Sequence, residues 1–130
     1  MNKQLALSIV IAVFLLAGCA ASGPKLASSA EDIAGTWQSS VHSQETELNE
    51  DGTWRSTFPS GDVFTGEFRF EGTRLIWKDD SACIEAPTGI YEVELLENGN
   101  LKWTVIEDEC PDRVNYVAGR LVEVEWEPVP

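Results

Sequence analysis

Three cysteines, one histidine and a group of clustered carboxylates are the side chains of this 130-residue chain whose types and spacing could do chemistry. Cys19 follows Leu16-Ala17-Gly18 at the end of an almost unbroken apolar run from Leu5 to Ala17, where its thiol can be alkylated ahead of a cut beside small residues. Cys83 and Cys110 stand apart from it. In an oxidising compartment two such thiols read as a disulfide, whereas zinc would want four ligands and no histidine lies near them. His42 falls at an expected turn, with no local motif setting a serine or cysteine nucleophile beside it, and reads as a solvated turn residue. Asp62, Asp79, Asp80, Glu85, Asp108, Glu109 and Asp112 gather in a few loops with Lys78 and Arg113 among them. Paired acids can serve acid–base catalysis or bind calcium, but this spacing matches no such site, and the group reads as loop solvation. There is no phosphate-cradling glycine loop, dinucleotide fingerprint or His-rich metal spacing. The expectation is a protein that is not an enzyme and that uses no cofactor and no metal.

The apolar run follows a single positive charge, Lys3, and is shorter than the ~20 residues a spanning helix needs, so it reads as a signal peptide. Its ending, Leu16-Ala17-Gly18-Cys19, resembles the lipobox of bacterial lipoproteins. A plain signal peptide cut nearby, for example after Ala21, is the alternative. The resemblance implies loss of residues 1–18 and a mature chain that starts at Cys19, with a diacylglyceryl thioether and an acylated amine. At about 0.8 kcal/mol per buried methylene, several acyl chains make attachment to a membrane effectively permanent. Position 20 is alanine, not the aspartate that in such families signals inner-membrane retention. The resemblance therefore implies the cell envelope, at the outer membrane and facing the periplasm.

Nine Lys and Arg against 22 Asp and Glu give a net charge of −13; without Lys3, 8 against 22 leave −14. Such a field repels polyanions and excludes nucleic acid as a partner. The 112 residues from Cys19 onward have room for one small domain. Residues 19–30, small, polar and interrupted by Gly23-Pro24, read as a flexible lipidated tether. Ser29 followed by Glu31 and Asp32 offers an N-cap and acids for one helical turn ending at Ala34-Gly35, which opens a folded domain over 31–130.

From Thr36 onward the pattern alternates with period two between turn signals about ten residues apart. Eight strands are expected, near 36–42, 44–50, 53–58, 63–71, 73–78, 89–97, 101–107 and 115–126. Short connections favour an antiparallel up-and-down meander, closed into a single all-β, eight-stranded barrel without bare edges. Asp51-Gly52, Glu71-Gly72 and Asn98-Gly99-Asn100 are tight turns that would close one end; His42-Ser43, Pro59 to Asp62, Asp79 to Thr88 and residues 108–114 would form a mouth at the other. Cys83 and Cys110 both fall at that mouth, which supports their pairing. The alternation turns Trp37, Val41, Leu48, Trp54, Phe58, Phe64, Gly66, Phe68, Phe70, Leu75, Trp77, Tyr91, Val93, Leu95, Leu101, Trp103, Val105, Val122, Val124 and Trp126 inward.

Gly35-Thr36-Trp37, entering the first strand after a short helical turn, together with an arginine on the last strand, resembles the lipocalin-like domains of bacterial lipoproteins. Avidin-like barrels share the strand count and a similar opening. The resemblance implies a barrel floor made by Trp37 and a packed arginine, for which Arg120 is the candidate. It also implies a small hydrophobic ligand admitted at the mouth, where Phe58, Phe64, Trp77 and Tyr91 are the nearest inward residues. The alternative is a barrel filled by its own side chains, which acts through its outer surface on another envelope protein, as an inhibitor or structural module.

Overall fold

The computed structural model describes residues 23–119 and 124–130. After α1 (Ala30–Ile33) come β1 (Gly35–Ser39), β2 (Glu45–Leu48), β3 (Thr53–Thr57), β4 (Val63–Glu71), β5 (Arg74–Asp79), β6 (Thr88–Leu95) and β7 (Leu101–Glu107), then α2 (Pro111–Val117) and β8 (Glu125–Pro128). Each strand pairs antiparallel with the next, and β8 returns to β1 through Trp37 opposite Pro128 and Ser39 opposite Trp126. The protein is a closed eight-stranded up-and-down β-barrel, as the alternation predicts. The tight turns share one end, where Gly52 and Gly72 supply φ of 84° and 62° that side-chain-bearing residues rarely adopt.

The inward rows form one core, with Leu48, Trp54, Phe68, Leu75, Trp77, Tyr91, Val93, Leu101, Trp103, Val124 and Trp126 all buried. Val122 lies outside the described residues; among the described ones Val41 is the exception to the expected inward set, exposed because β1 ends at Ser39 and the chain turns there. The Ser39 hydroxyl accepts from the backbone N–H groups of Val41 and His42 and fixes that turn.

Two parts of the chain depart from the sequence reading. The strand expected over 115–126 is replaced by α2, followed by the much shorter β8. Pro111 at the first helical positions has φ already set for a helix, and Arg113 and Val117, four residues apart, bury one face. The alternation of Tyr116, Ala118, Val122 and Val124 suggested extended chain, but the first two belong to the helix and its C-cap. Within the expected tether, Ala27 N–H donates to the Val93 carbonyl and Leu95 N–H to the Lys25 carbonyl, each at 2.8 Å. β5 covers β6 only as far as Tyr91 opposite Leu75, so Lys25–Ala27 takes up the free edge that remains at the closed end, and Ala27 is buried. α1 then forms as expected, with Ser29 and Asp32 in a capping box.

Gly66 stands in the inward row of β4, and its neighbours give the reason for a glycine there. The Trp54 indole Nε1 crosses over Gly66 to donate to the Lys78 carbonyl at 3.1 Å. A Cβ at position 66 would overlap that carbonyl and stand 2.6 Å from the indole nitrogen. Gly66→Ala is therefore expected to cost about 1–3 kcal/mol through overpacking. The check is the urea midpoint of the variant against Gly23→Ala, a position with nothing within 4 Å, which should leave the midpoint unchanged.

Candidate functional site: the barrel mouth

At the open end the barrel holds a cavity of about 290 Å³. Its walls come from the inward rows: Trp54 and Ser56 from β3, Phe64 from β4, Trp77 and Asp79 from β5 and Trp126 from β8, with Phe58 just beyond β3. Gln44, in phase with Thr46 and Leu48 on the inward face of β2, adds an amide. α2 lies across the opening and contributes Asp112, Arg113, Tyr116 and Val117. The aromatic rings brace one another. Trp54 stacks on Trp77 with centroids 4.3 Å apart, and Phe58 meets Phe64 and Tyr116 edge-on at 5.5 and 5.0 Å.

Helix α2 is held over the mouth from several sides. The Cys83–Cys110 disulfide, Cα atoms 5.9 Å apart, joins the β5–β6 loop to the residue that caps the helix, as the shared mouth location of the two thiols led us to expect. By chain entropy alone, closing a loop of this length is worth ~3–4 kcal/mol. The Trp126 indole donates to the Val117 carbonyl at the end of the helix. His42 lies 3.2 Å from the Asn115 carbonyl and edge-on to Tyr116, so it links the β1–β2 turn to α2 where a solvated residue was expected.

Beneath the helix, Arg113 is buried with all five guanidinium hydrogens committed. Nε donates to Asp108 Oδ2 at 2.7 Å and Nη2 to Asp108 Oδ1 at 2.5 Å. Nη1 donates to Asp79 Oδ2 at 2.7 Å and to the Pro87 carbonyl, and Nη2 also donates to the Ala86 carbonyl. The Tyr91 hydroxyl hydrogen-bonds the same Asp108 oxygen that Nε uses. Burial drives the Asp79 carboxyl above its ordinary value, the attraction of Arg113 notwithstanding. Burial and the hydrogen bond to Asp108 likewise keep the Tyr91 phenol protonated. Burial alone would lower the Arg113 pKa, but the hydrogen bonds to Asp108 and Asp79 outweigh it and hold the pKa above the ordinary value.

Phe58, Phe64 and Trp77, expected as ligand contacts, line the cavity. Tyr91 does not: it is fully buried, and its ring packs edge-on to Trp103 while its hydroxyl is taken up by Asp108. Trp37, expected at the floor, is buried, and its indole donates to the Ile33 carbonyl at 2.9 Å. Arg120 and Cys19 lie outside the described residues. The acids expected to solvate loops divide: Asp62, Asp80, Glu85, Glu109 and Asp112 are exposed, but the side chains of Asp79 and Asp108 are buried against Arg113. Asp79 could have been found from its phase, since it continues the inward row of Leu75 and Trp77. Among the described residues, no three of His, Cys, Asp and Glu gather as a metal site.

Removing Arg113 would strand two buried carboxylates, so Arg113→Leu is expected to lose about 3–5 kcal/mol at pH 7. Because protonation relieves the stranded charge, the penalty should shrink toward pH 4, which urea melts at several pH values would show. Asp79 runs the opposite way from an ordinary paired acid. Its carboxyl is raised above 3.8, so its contribution to stability is whole below that value and declines as pH rises through the raised one. Asp79→Asn should therefore gain stability relative to wild type as pH is raised through that window.

Comparison with protein-family models, with curated proteins and with solved structures finds no match to this chain.

Proposed function

We propose that the protein is an envelope lipoprotein, anchored by lipid at Cys19, whose barrel binds one small hydrophobic ligand at its mouth and performs no catalysis. The observation that carries this reading is the cavity of about 290 Å³ at the mouth, walled by Trp54, Trp77 and Trp126. Eight strands give a barrel just wide enough for packed side chains or one small ligand, and pockets of this size and apolar lining are the usual form of a ligand site.

The path of the chain supports the anchor. Lys25 enters beside Leu95, at the closed end. Six residues from Cys19 reach at most ~20 Å. A lipid there would hold the closed end toward the bilayer and turn the mouth toward the periplasm. The acidic surface keeps the barrel off an anionic headgroup layer, and the lipid supplies the attachment.

A second reading, an interaction module for an envelope protein, draws on the exposed large hydrophobics. Val41, Val63, Ile84, Ile106 and Tyr116 all stand at the open end. Such a rim suits a protein surface as well as a ligand portal.

Trp54, Trp77 and Trp126 face the cavity and report on its contents. Titration with the neutral dye N-phenyl-1-naphthylamine and a series of fatty acids should give saturable quenching with at least one compound, and Phe64→Ala should weaken it. A flat response across the panel would favour the filled barrel. Lipidation is checked separately: Cys19→Ala should leave the membrane fraction and accumulate unprocessed, and normal processing with membrane retention would refute the anchor.

A further inference from the structure

The mouth cavity carries two polar features that say what kind of apolar molecule fits it. Among the described residues that line the cavity Arg113 is the one basic residue, and its five hydrogens already go to Asp79, Asp108 and the carbonyls of Ala86 and Pro87. It has no donor left for a carboxylate. Asp79 and Asp112 border the same space, and the surrounding chain is strongly acidic. An anion entering here would give up its hydration without finding a free counter-charge among the described lining residues.

Gln44 supplies the second feature. Its place in the β2 alternation turns it inward, and it is only 3 % exposed. Its side-chain oxygen Oε1 is buried and has no hydrogen-bond partner. The hydroxyl of Ser56, on the next strand and also in the cavity wall, is taken by Thr46 Oγ1 at 2.6 Å. A buried acceptor left unmade is costly, and a ligand that donates to it recovers that loss.

Resting on the ligand-binding reading above, we infer that the cavity selects a neutral, aromatic-sized molecule carrying one hydrogen-bond donor, which Gln44 Oε1 accepts, and that it rejects carboxylates of the same shape. The stacked Trp54 and Trp77 give such a ligand an aromatic wall, and Gln44 fixes its orientation. Gln44 is thus a specificity residue and Arg113 is scaffold.

Three probes of one shape test this by equilibrium dialysis against the full mature protein: 2-naphthol, neutral with a donor; 2-methoxynaphthalene, neutral without one; and 2-naphthoate, an anion at pH 7. The expected order is 2-naphthol tightest, 2-methoxynaphthalene about five- to tenfold weaker for the loss of one hydrogen bond, and 2-naphthoate weakest. Gln44→Leu should weaken 2-naphthol by the same factor and leave 2-methoxynaphthalene unchanged or tighter. The wild-type order decides the question by itself should that variant fold poorly. Tightest binding of 2-naphthoate, equal binding of the two neutral probes, or a Gln44→Leu protein with undiminished 2-naphthol affinity would each overturn the inference while leaving a ligand-binding barrel in place. Absence of binding by all three, with no quenching by the dye, would remove the ligand-binding reading and this inference with it.

Discussion

A single guanidinium holds the mouth of this barrel in shape. Arg113 reaches back from α2 to Asp79 at the end of β5, to the Ala86 and Pro87 carbonyls of the following loop, and to Asp108 just past β7. Those groups belong to segments that are distant in sequence and that would otherwise splay apart where the strands end. Carboxylates and carbonyls cannot be left unpaired in such a place, so each constrains the backbone that carries it. Gly89 belongs to the same arrangement, since any side chain there would drive into the Asp108 carboxylate. The disulfide acts on the same loop and the same helix, and so reinforces an arrangement whose geometry the ion pairs define. A covalent link fixes how far apart two points can move; the forked, planar donor set fixes their orientation.

Below this polar layer the core is built from indoles. Trp54, Trp77, Trp103 and Trp126 form a connected series of ring contacts, from the 4.3 Å stack of Trp54 on Trp77 to the 4.7 Å contact of Trp103 with Trp126. Large rigid rings fill a small barrel at little cost in side-chain entropy, but they cannot fit every gap. The cavity lies where the series ends, between Trp54, Trp77 and Trp126 and the underside of α2. This apolar recess is therefore framed by the parts of the fold least able to adjust, which favours a preformed shape over one moulded by its occupant.

Much of the barrel was legible in the sequence because strands obey a local rule. Phe64, Gly66, Phe68 and Phe70 alternate as they must, and tight turns need residues that tolerate positive φ. The disulfide and the placing of Phe58, Phe64 and Trp77 at the mouth cavity followed from the same rule, since strand direction alone sorts the loops into two ends. What was missed depends on tertiary partners. Asp108 looks like any other acid in a chain carrying 22, and Asp79, although in phase with the inward row of β5, gains its partner only from Arg113 brought in by α2. Tyr91 obeys the alternation, but its hydroxyl finds Asp108, so the ring stays below the cavity. α2 itself was hidden by the accidental alternation of Tyr116 and Ala118, and the proline and acid of its first turn, Pro111 and Asp112, were read as part of a loop. Lys25–Ala27 was read as tether because nothing in its composition demands burial; an unoccupied edge on β6 recruited it.

That short pairing has a mechanical consequence. The hydrogen bonds of Ala27 to Val93 and of Leu95 to Lys25 lie across the direction in which the chain leaves the barrel. A pull on the N-terminal end loads both of them together, in shear, before it reaches α1 and the Trp37 indole bonded to Ile33. Shear shares force among parallel bonds, whereas peeling breaks them one at a time. Strain arriving from that side is absorbed at the end of the barrel farthest from the cavity, and the packing around Arg113 is spared it.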